Sequence, residues 1–319
     1  MRKELSSLKV NKCSGLKDIN TRFLKNGAGV LAAPLPYIFS LSLHTAIIHR
    51  SWKCATVTPL HKYGSASHPN NFRPISVLPV VMKIFERAVH SQIYQHLSTN
   101  KLLYSHQSGF RPGHSTTTCL LDVSDFIRKN MDQGCLTGGV FLDLSKALDL
   151  IDHSILKSKL AHVGILDHAL HWLDNYLTGR TQTVCVNGIS SEPMDLNFGV
   201  PQGSVLRPLL FLIFINDLPN RVKQSKVVLY VDNTALFFAN KDVMTIERVL
   251  QEELNSLNNW FHENGLIVNC SKTNVMVVGK SQRLVKTSRP VLKLSDSFLR
   301  VKEICKYFGV IFDSNLNWH

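Results

Sequence analysis

The chain has 319 residues, 44% of them hydrophobic and 18% charged, which excludes a disordered chain and leaves room for one large domain or two ordinary ones. Its net charge of +13 is uneven: residues 1–111 carry 15 Lys and Arg against Glu4, Asp18 and Glu86, while the remainder holds 21 basic and 20 acidic residues. A basic first third argues for a polyanion surface, and nucleic acid is favoured over membrane because no basic amphipathic helix stands out.

Seven scattered cysteines without a C-x-x-C pair fit a reducing, intracellular setting. The start MRKELSSLKVNK lacks the apolar core of a secretory signal. The most apolar window, Gly29 to Ile48, is interrupted by Pro34, Pro36 and His44, so a soluble protein is expected, with nucleus and cytoplasm left open.

Residues 1–60 read as helices broken by Gly and Pro, with Leu35, Ile38, Phe39, Leu41, Leu43 and Ile47 on one helix face. Trp52 opens an extended piece in which Ala55, Val57 and Pro59 alternate with polar residues. His61 to Arg73 is a surface loop, and Val77 to Leu97 turns helical through Val80, Ile84, Ala88 and Ile93. QSGFRPGH (107–114) is another loop, followed by a helix packing Leu120, Leu121, Val123 and Phe126. Gly138-Gly139 opens a buried strand, VFLDL, in which Asp143 is the one charge, and residues 145–163 read as helical.

The Asn187-Gly188 pair signals a hairpin, GVPQGS (199–204) a tight loop, and Pro208 the first turn of an apolar helix reaching Asp217. In VVLYVDNTALFF (227–238), two apolar runs flank Asp232-Asn233, which is expected at the turn of a hairpin. Ile246, Val249, Leu250, Leu254, Leu257 and Phe261 mark an amphipathic helix, and a β-rich part runs from Leu266 to Phe312. Strands alternating with helices indicate a mixed α/β (α+β) fold.

Two carboxylates stand out by their setting. Asp143 is a carboxylate in an apolar strand, costly unless paired or bound to metal, and Asp232 sits at a hairpin tip. Two such carboxylates brought together would suit Mg²⁺ and phosphoryl transfer. Equally open on spacing alone are a helix cap for Asp143 and a plain turn for Asp232.

The ordered series HKYG…NNFRPISVLPVVMKIFERAV, QSGFRPGHSTTTCLLD, FLDLSKALDLIDH, GVPQGSVLRPLLFLIFINDLP, YVDNTALF, GLIVNCSKTNVMVVG and KYFGVIFDSNLNW resembles the reverse transcriptase domain of non-LTR (LINE-type, jockey-like) retrotransposons, including the LKVNKCSGLKDI start. The resemblance implies a right-hand polymerase with fingers and palm and the thumb largely missing. It divides the chain into an N-terminal helical extension (1–54), fingers (about 55–135), palm (about 136–280) and a thumb connection (281–319) within a domain spanning 55–312. The endonuclease that precedes such domains in full elements is not expected in this sequence.

The same resemblance implies RNA-directed DNA synthesis with two Mg²⁺ ions, an RNA template, a DNA primer and deoxynucleoside triphosphates. Asp143 and Asp232 match the metal-binding aspartates, and Lys272 the lysine that protonates departing pyrophosphate. Gln202 and Gly203 match the loop at the incoming nucleotide, and Lys62 and Arg73 the fingers residues that grip the triphosphate. Five positions depart from the pattern: Asn233 for a second aspartate, Val231 for an alanine, Leu148 for an aromatic residue that blocks a ribose 2′-hydroxyl, Arg207 for a glycine, and Phe308 for a leucine. These departures raise an alternative, a fragment that has lost catalysis and at most binds nucleic acid.

Overall fold

The computed structural model describes residues 1–10 and 19–316. Most of the LKVNKCSGLKDI start, with Cys13, and the end of the KYFGVIFDSNLNW motif lie outside the described residues. The chain forms two compact units, Met1–Leu102 with Ile151–Phe214, and Leu103–Leu150 with Ile215–His319.

The strands, in chain order, begin with β1 (Cys54–His61), β2 (Phe72–Val77), β3 (Leu136–Leu142), β4 (Arg180–Val186) and β5 (Ile189–Ser190). They continue with β6 (Met194–Leu196), β7 (Lys226–Tyr230), β8 (Asn233–Asn240), β9 (Asn274–Val278) and β10 (Lys293–Leu294). The last are β11 (Ser297–Phe298), β12 (Arg300–Val301), β13 (Ile304–Tyr307) and β14 (Val310–Asp313).

In the first unit a sheet of order β2-β1-β4-β5, with β6 also on β4, lies beside an aromatic core. Phe39 stacks on Phe85 with ring centroids 4.3 Å apart, Phe85 meets Trp172 edge-on, and Trp172 stacks on Tyr176. The indole N–H of Trp172 donates to the Ser42 hydroxyl at 3.1 Å, so the large ring is buried without an unsatisfied donor. The helix Pro34–Thr45 therefore faces the core through Leu35, Phe39 and Ser42. Ile38, Leu41 and Ile47, expected on the buried face, are exposed. The choice was made by tertiary packing around Phe39, which spacing alone does not reveal. Ala28–Thr45 has the length and composition of a membrane span, yet Phe39 and Ser42 within it are packed against this core.

The second unit is built on a sheet of order β12-β9-β3-β8-β7. Its central strand β3 pairs antiparallel with β8 and β9, from Leu136↔Asn240 to Leu142↔Thr234 on one side. The helix Thr116–Asp132 starts at a capping box, with the Ser115 and Thr118 side chains reciprocally bonded to backbone N–H groups. It packs Cys119, Val123 and Ile127 against Val228, Ala235, Phe237 and Met276. Leu121, expected in this packing, is exposed. The helix Val243–Glu263 is capped by Asp242 and buries all six apolar residues read from its periodicity. Residues 145–163 are not one helix but a 3-10 turn, Ala147–Asp149, and a helix, His153–His162. The Asn187-Gly188 turn forms as expected between β4 and β5, and the described cysteines are free.

Urea unfolding distinguishes the two faces of Pro34–Thr45. Phe39→Ala should cost about 3–5 kcal/mol, as for a fully packed aromatic, whereas Leu41→Ala should stay within about 0.5 kcal/mol.

Candidate active site

The residues singled out from the sequence fall into two groups, one in each unit. In the second unit the β3–β8 register does the assembling. The strands pair as far as Leu142↔Thr234, so Asp143 directly follows the last paired residue of β3 and Asn233 opens β8, with Asp232 at the adjoining turn. The turn itself is shifted by one residue from expectation: Tyr230 pairs with Asn233, so Val231 and Asp232 form it, not Asp232 and Asn233. Tyr230 packs on Phe308 at 4.8 Å, and that anchoring overrides the local turn preference of Asn. Val231 consequently takes φ +58°, an outlying conformation for a β-branched residue that costs roughly 1–3 kcal/mol.

Asp143 is held by its backbone. Its carbonyl accepts from the Asn269 N–H at 2.7 Å, and its N–H donates to the Thr273 hydroxyl at 3.4 Å. The SKT turn thus stitches the end of β3 in place and brings Lys272 Nζ to 3.9 Å from Asp143 Oδ2. Lys272 is exposed, so water screens this pair strongly. The helix after Asp143 is capped by Asp152, which removes the helix-cap reading of Asp143. Burial pushes the Asp232 carboxyl above the usual carboxylate range against its own backbone N–H, and the Asp143 charge adds to the rise. Leu148 is half-buried in the 3-10 turn five residues after Asp143.

Two mutually repelling carboxylates fit a divalent cation that takes most of its shell from water and substrate phosphates. Among the described residues no group of three His, Cys, Asp or Glu side chains is placed to hold a metal ion, so no closed all-protein cage accompanies the pair.

In the first unit, Lys62 and Arg73 are exposed on the β1–β2 hairpin. Arg73 lies opposite Leu60, and the Lys62 N–H donates to the Asn71 carbonyl at 2.8 Å, which puts both cations on one face. Three residues beyond Arg73, the Ser76 N–H donates to the Gln202 carbonyl at 2.9 Å. Gly203 has φ +115°, and a Cβ there would stand 2.5 Å from the Ser76 carbonyl oxygen, so only glycine lets the loop lie on β2. Arg207, which stands where the resemblance calls for a glycine, starts the helix Arg207–Ile215 and donates through its guanidinium to the Val200 carbonyl, tying the loop back on itself.

Sequence reasoning missed what lies beneath the loop. Glu86, fully buried, accepts from the Tyr176 hydroxyl and from the Val205 N–H, both at 2.6 Å. Tyr176 in turn meets the Ser204 hydroxyl at 2.7 Å, and Ser204 accepts from the Leu206 and Arg207 N–H groups. The signal was the single acid in the apolar run VVMKIFERAV, on the face shared with Met82, Val89 and Ile93. Burial pushes Glu86 above its ordinary range, against the Tyr176 and Val205 hydrogen bonds. The ionised form is thus disfavoured in the fold, and the penalty shrinks as pH falls through the raised value.

Glu86→Leu should destabilise the protein by about 2–4 kcal/mol, because two buried donors lose their acceptor. Glu86→Gln should cost less at neutral pH, and the wild type should gain on it as pH falls toward the ordinary carboxylate range; denaturation at several pH values measures both.

Comparison with known proteins bears on these two groups. The family model described as reverse transcriptase (RNA-dependent DNA polymerase) matches residues 60–312. The chain is 31% identical to the probable RNA-directed DNA polymerase from transposon BS of Drosophila melanogaster, over 98% of this chain and 35% of that protein. It is 29% identical to the RNA-directed DNA polymerase from mobile element jockey of the same organism, over 89% of this chain and 31% of that one. It thus spans about a third of the length of the relatives it matches. Apo telomerase from Candida tropicalis has a similar fold, with TM-score 0.59 and 12% identity over 83% of this chain and 48% of that one. Fold, motif order and family match coincide, and the chain belongs to the reverse transcriptase family, with a right-hand polymerase fold.

Proposed function

We propose that this chain extends a DNA primer on an RNA template, and that Asp143 and Asp232 hold the Mg²⁺ ions of the reaction. The observation that carries the reading is the carboxylate pair itself: Asp232 is half-buried at a hairpin tip and feels the charge of Asp143. When bound, the ions would activate the primer 3′-hydroxyl and neutralise the leaving pyrophosphate. In this reading the chain's own residues orient and supply protons. Lys62 and Arg73 hold the triphosphate, Arg73 as a two-pronged donor. Gln202 and Gly203 bring a backbone edge to the nucleotide, and Lys272 donates a proton to pyrophosphate. The fingers assignment (about 55–135), the palm (about 136–280) and the extension 1–54 belong to the same proposal.

A second reading, binding of nucleic acid with little turnover, is favoured by one position. Asn233, which follows Asp232 and opens β8, is neutral where the resemblance calls for a carboxylate, so the site collects one negative charge fewer for its cations. Leu148 lacks the ring that would exclude a ribose 2′-hydroxyl, so discrimination against ribonucleotides should be weak in either reading.

Primer extension on an RNA template separates the readings. Asn233→Asp should raise the rate at least about tenfold, and Asp143→Asn in that background should lower it at least about a hundredfold. Extension that survives Asp143→Asn sinks the two-carboxylate assignment; no gain from Asn233→Asp, with salt-sensitive RNA binding retained, favours the second reading.

A further inference from the structure

The strained hairpin tip is held from outside by one side chain. Gln107 is 2% exposed, and its side-chain carbonyl accepts from the Val231 N–H at 3.1 Å and from the Gly109 N–H at 2.8 Å. Its amide nitrogen donates a long bond, 3.5 Å, to the Val231 carbonyl. One side-chain amide therefore serves both polar groups of Val231, the residue at φ +58°.

The surrounding backbone leaves little freedom. The Leu229 N–H donates to the His106 carbonyl at 3.0 Å, and the Ser108 N–H to the Leu229 carbonyl at 2.9 Å, so residues 106–108 run alongside the end of β7. Arg111 ties the segment from behind, donating to the carbonyls of Tyr104 at 2.9 Å and Gln107 at 3.0 Å. A Cβ on Gly109 would stand 2.4 Å from the Val231 nitrogen, so the missing side chain is what allows the approach. A β-branched residue stays in a left-handed turn only where its surroundings over-determine it. Here they do, through Gln107.

We propose that Gln107 is a positioning residue: its amide fixes Val231 in the left-handed turn and thereby fixes where the next residue, Asp232, presents its carboxylate. The proposal deepens the reading of Asp143 and Asp232 as cation ligands and rests on it for its functional consequence. Gln107 acts on the site only through Val231. Its amide should therefore matter more than its bulk, and accepting from the Val231 N–H should matter more than the long donated bond.

The test uses the full chain with Gln107→Met, which keeps length and removes the amide, and Gln107→Glu, which keeps the accepting oxygen. Amide hydrogen exchange and Mn²⁺ binding followed by electron paramagnetic resonance are the readouts. In Gln107→Met, exchange at Val231 should quicken by about tenfold while β3 and β9 amides hold, and Mn²⁺ affinity should fall by about tenfold, as for loss of a group supporting a metal ligand. Gln107→Glu should restore protection at Val231. Unchanged exchange at Val231 in Gln107→Met, or equal loss across β3 and β9, overturns the proposal. If Gln107→Met does not fold, Gln107→Glu decides: a protected Val231 supports the proposal and an unprotected one overturns it. Mn²⁺ binding that persists in Asp143→Asn removes the cation reading alone, and the clamp is then judged on exchange. Binding that depends on Asp143 but is untouched in a folded Gln107→Met overturns the positioning role alone.

Discussion

The antiparallel pairing of β3 with β8 is the constraint on which the candidate site depends. Side chains alternate faces along a strand, so a slip of one residue would turn the buried face of β3 outward and shift Asp143, just past its end, relative to the turn. The register is locked on both flanks, because β3 also pairs with β9 from Thr137↔Val278 to Phe141↔Asn274. Apolar packing reinforces it: Phe141, Ala235 and Phe237 share a face and are closed over by the helix Thr116–Asp132. The carboxylates are thus placed by hydrophobic register, and their mutual repulsion is tolerated because the burial that fixes the register is larger and spread over many side chains.

The first unit solves a similar problem with polar groups. The loop carrying Gln202 and Gly203 buries Val200 and Leu206 and is also tethered by hydrogen bonds to β2 and to Glu86. A buried carboxylate is an expensive anchor, and it persists where its oxygens find good donors. Both Glu86 oxygens do so, in Tyr176 and Val205, and the Ser204 hydroxyl extends the chain of bonds into the next helical turn. Placing a loop this way constrains direction as well as distance, which apolar packing does less well.

Much of this was legible in the chain. The helix Val243–Glu263 announced itself by period and the Asn187-Gly188 turn by its two residues. What failed were choices made by tertiary contact. The β7–β8 hairpin turns one residue early, with Tyr230 packed on Phe308, some 78 positions away in a part of the chain no local rule consults. Leu41 and Phe39 are both apolar and close in sequence, and only the ring of Phe85 decides between them. The destination of the Arg207 guanidinium, the Val200 carbonyl, was likewise not legible, because it depends on the path of the loop.

The segment beside β7 has a consequence apart from catalysis. β7 is the outermost strand of its sheet, and an unpaired strand edge is a template on which another chain can add its own strand. Residues 106–108 take up both main-chain groups of Leu229, the N–H and the carbonyl, and Tyr104 donates its hydroxyl to the Val227 carbonyl at 2.9 Å. The run VVLYV is apolar, β-prone and uncharged, the composition of an aggregating segment, and both main-chain groups of Leu229 and the Val227 carbonyl are already bonded. The same stretch of chain therefore keeps the sheet from recruiting a neighbour's strand along this edge.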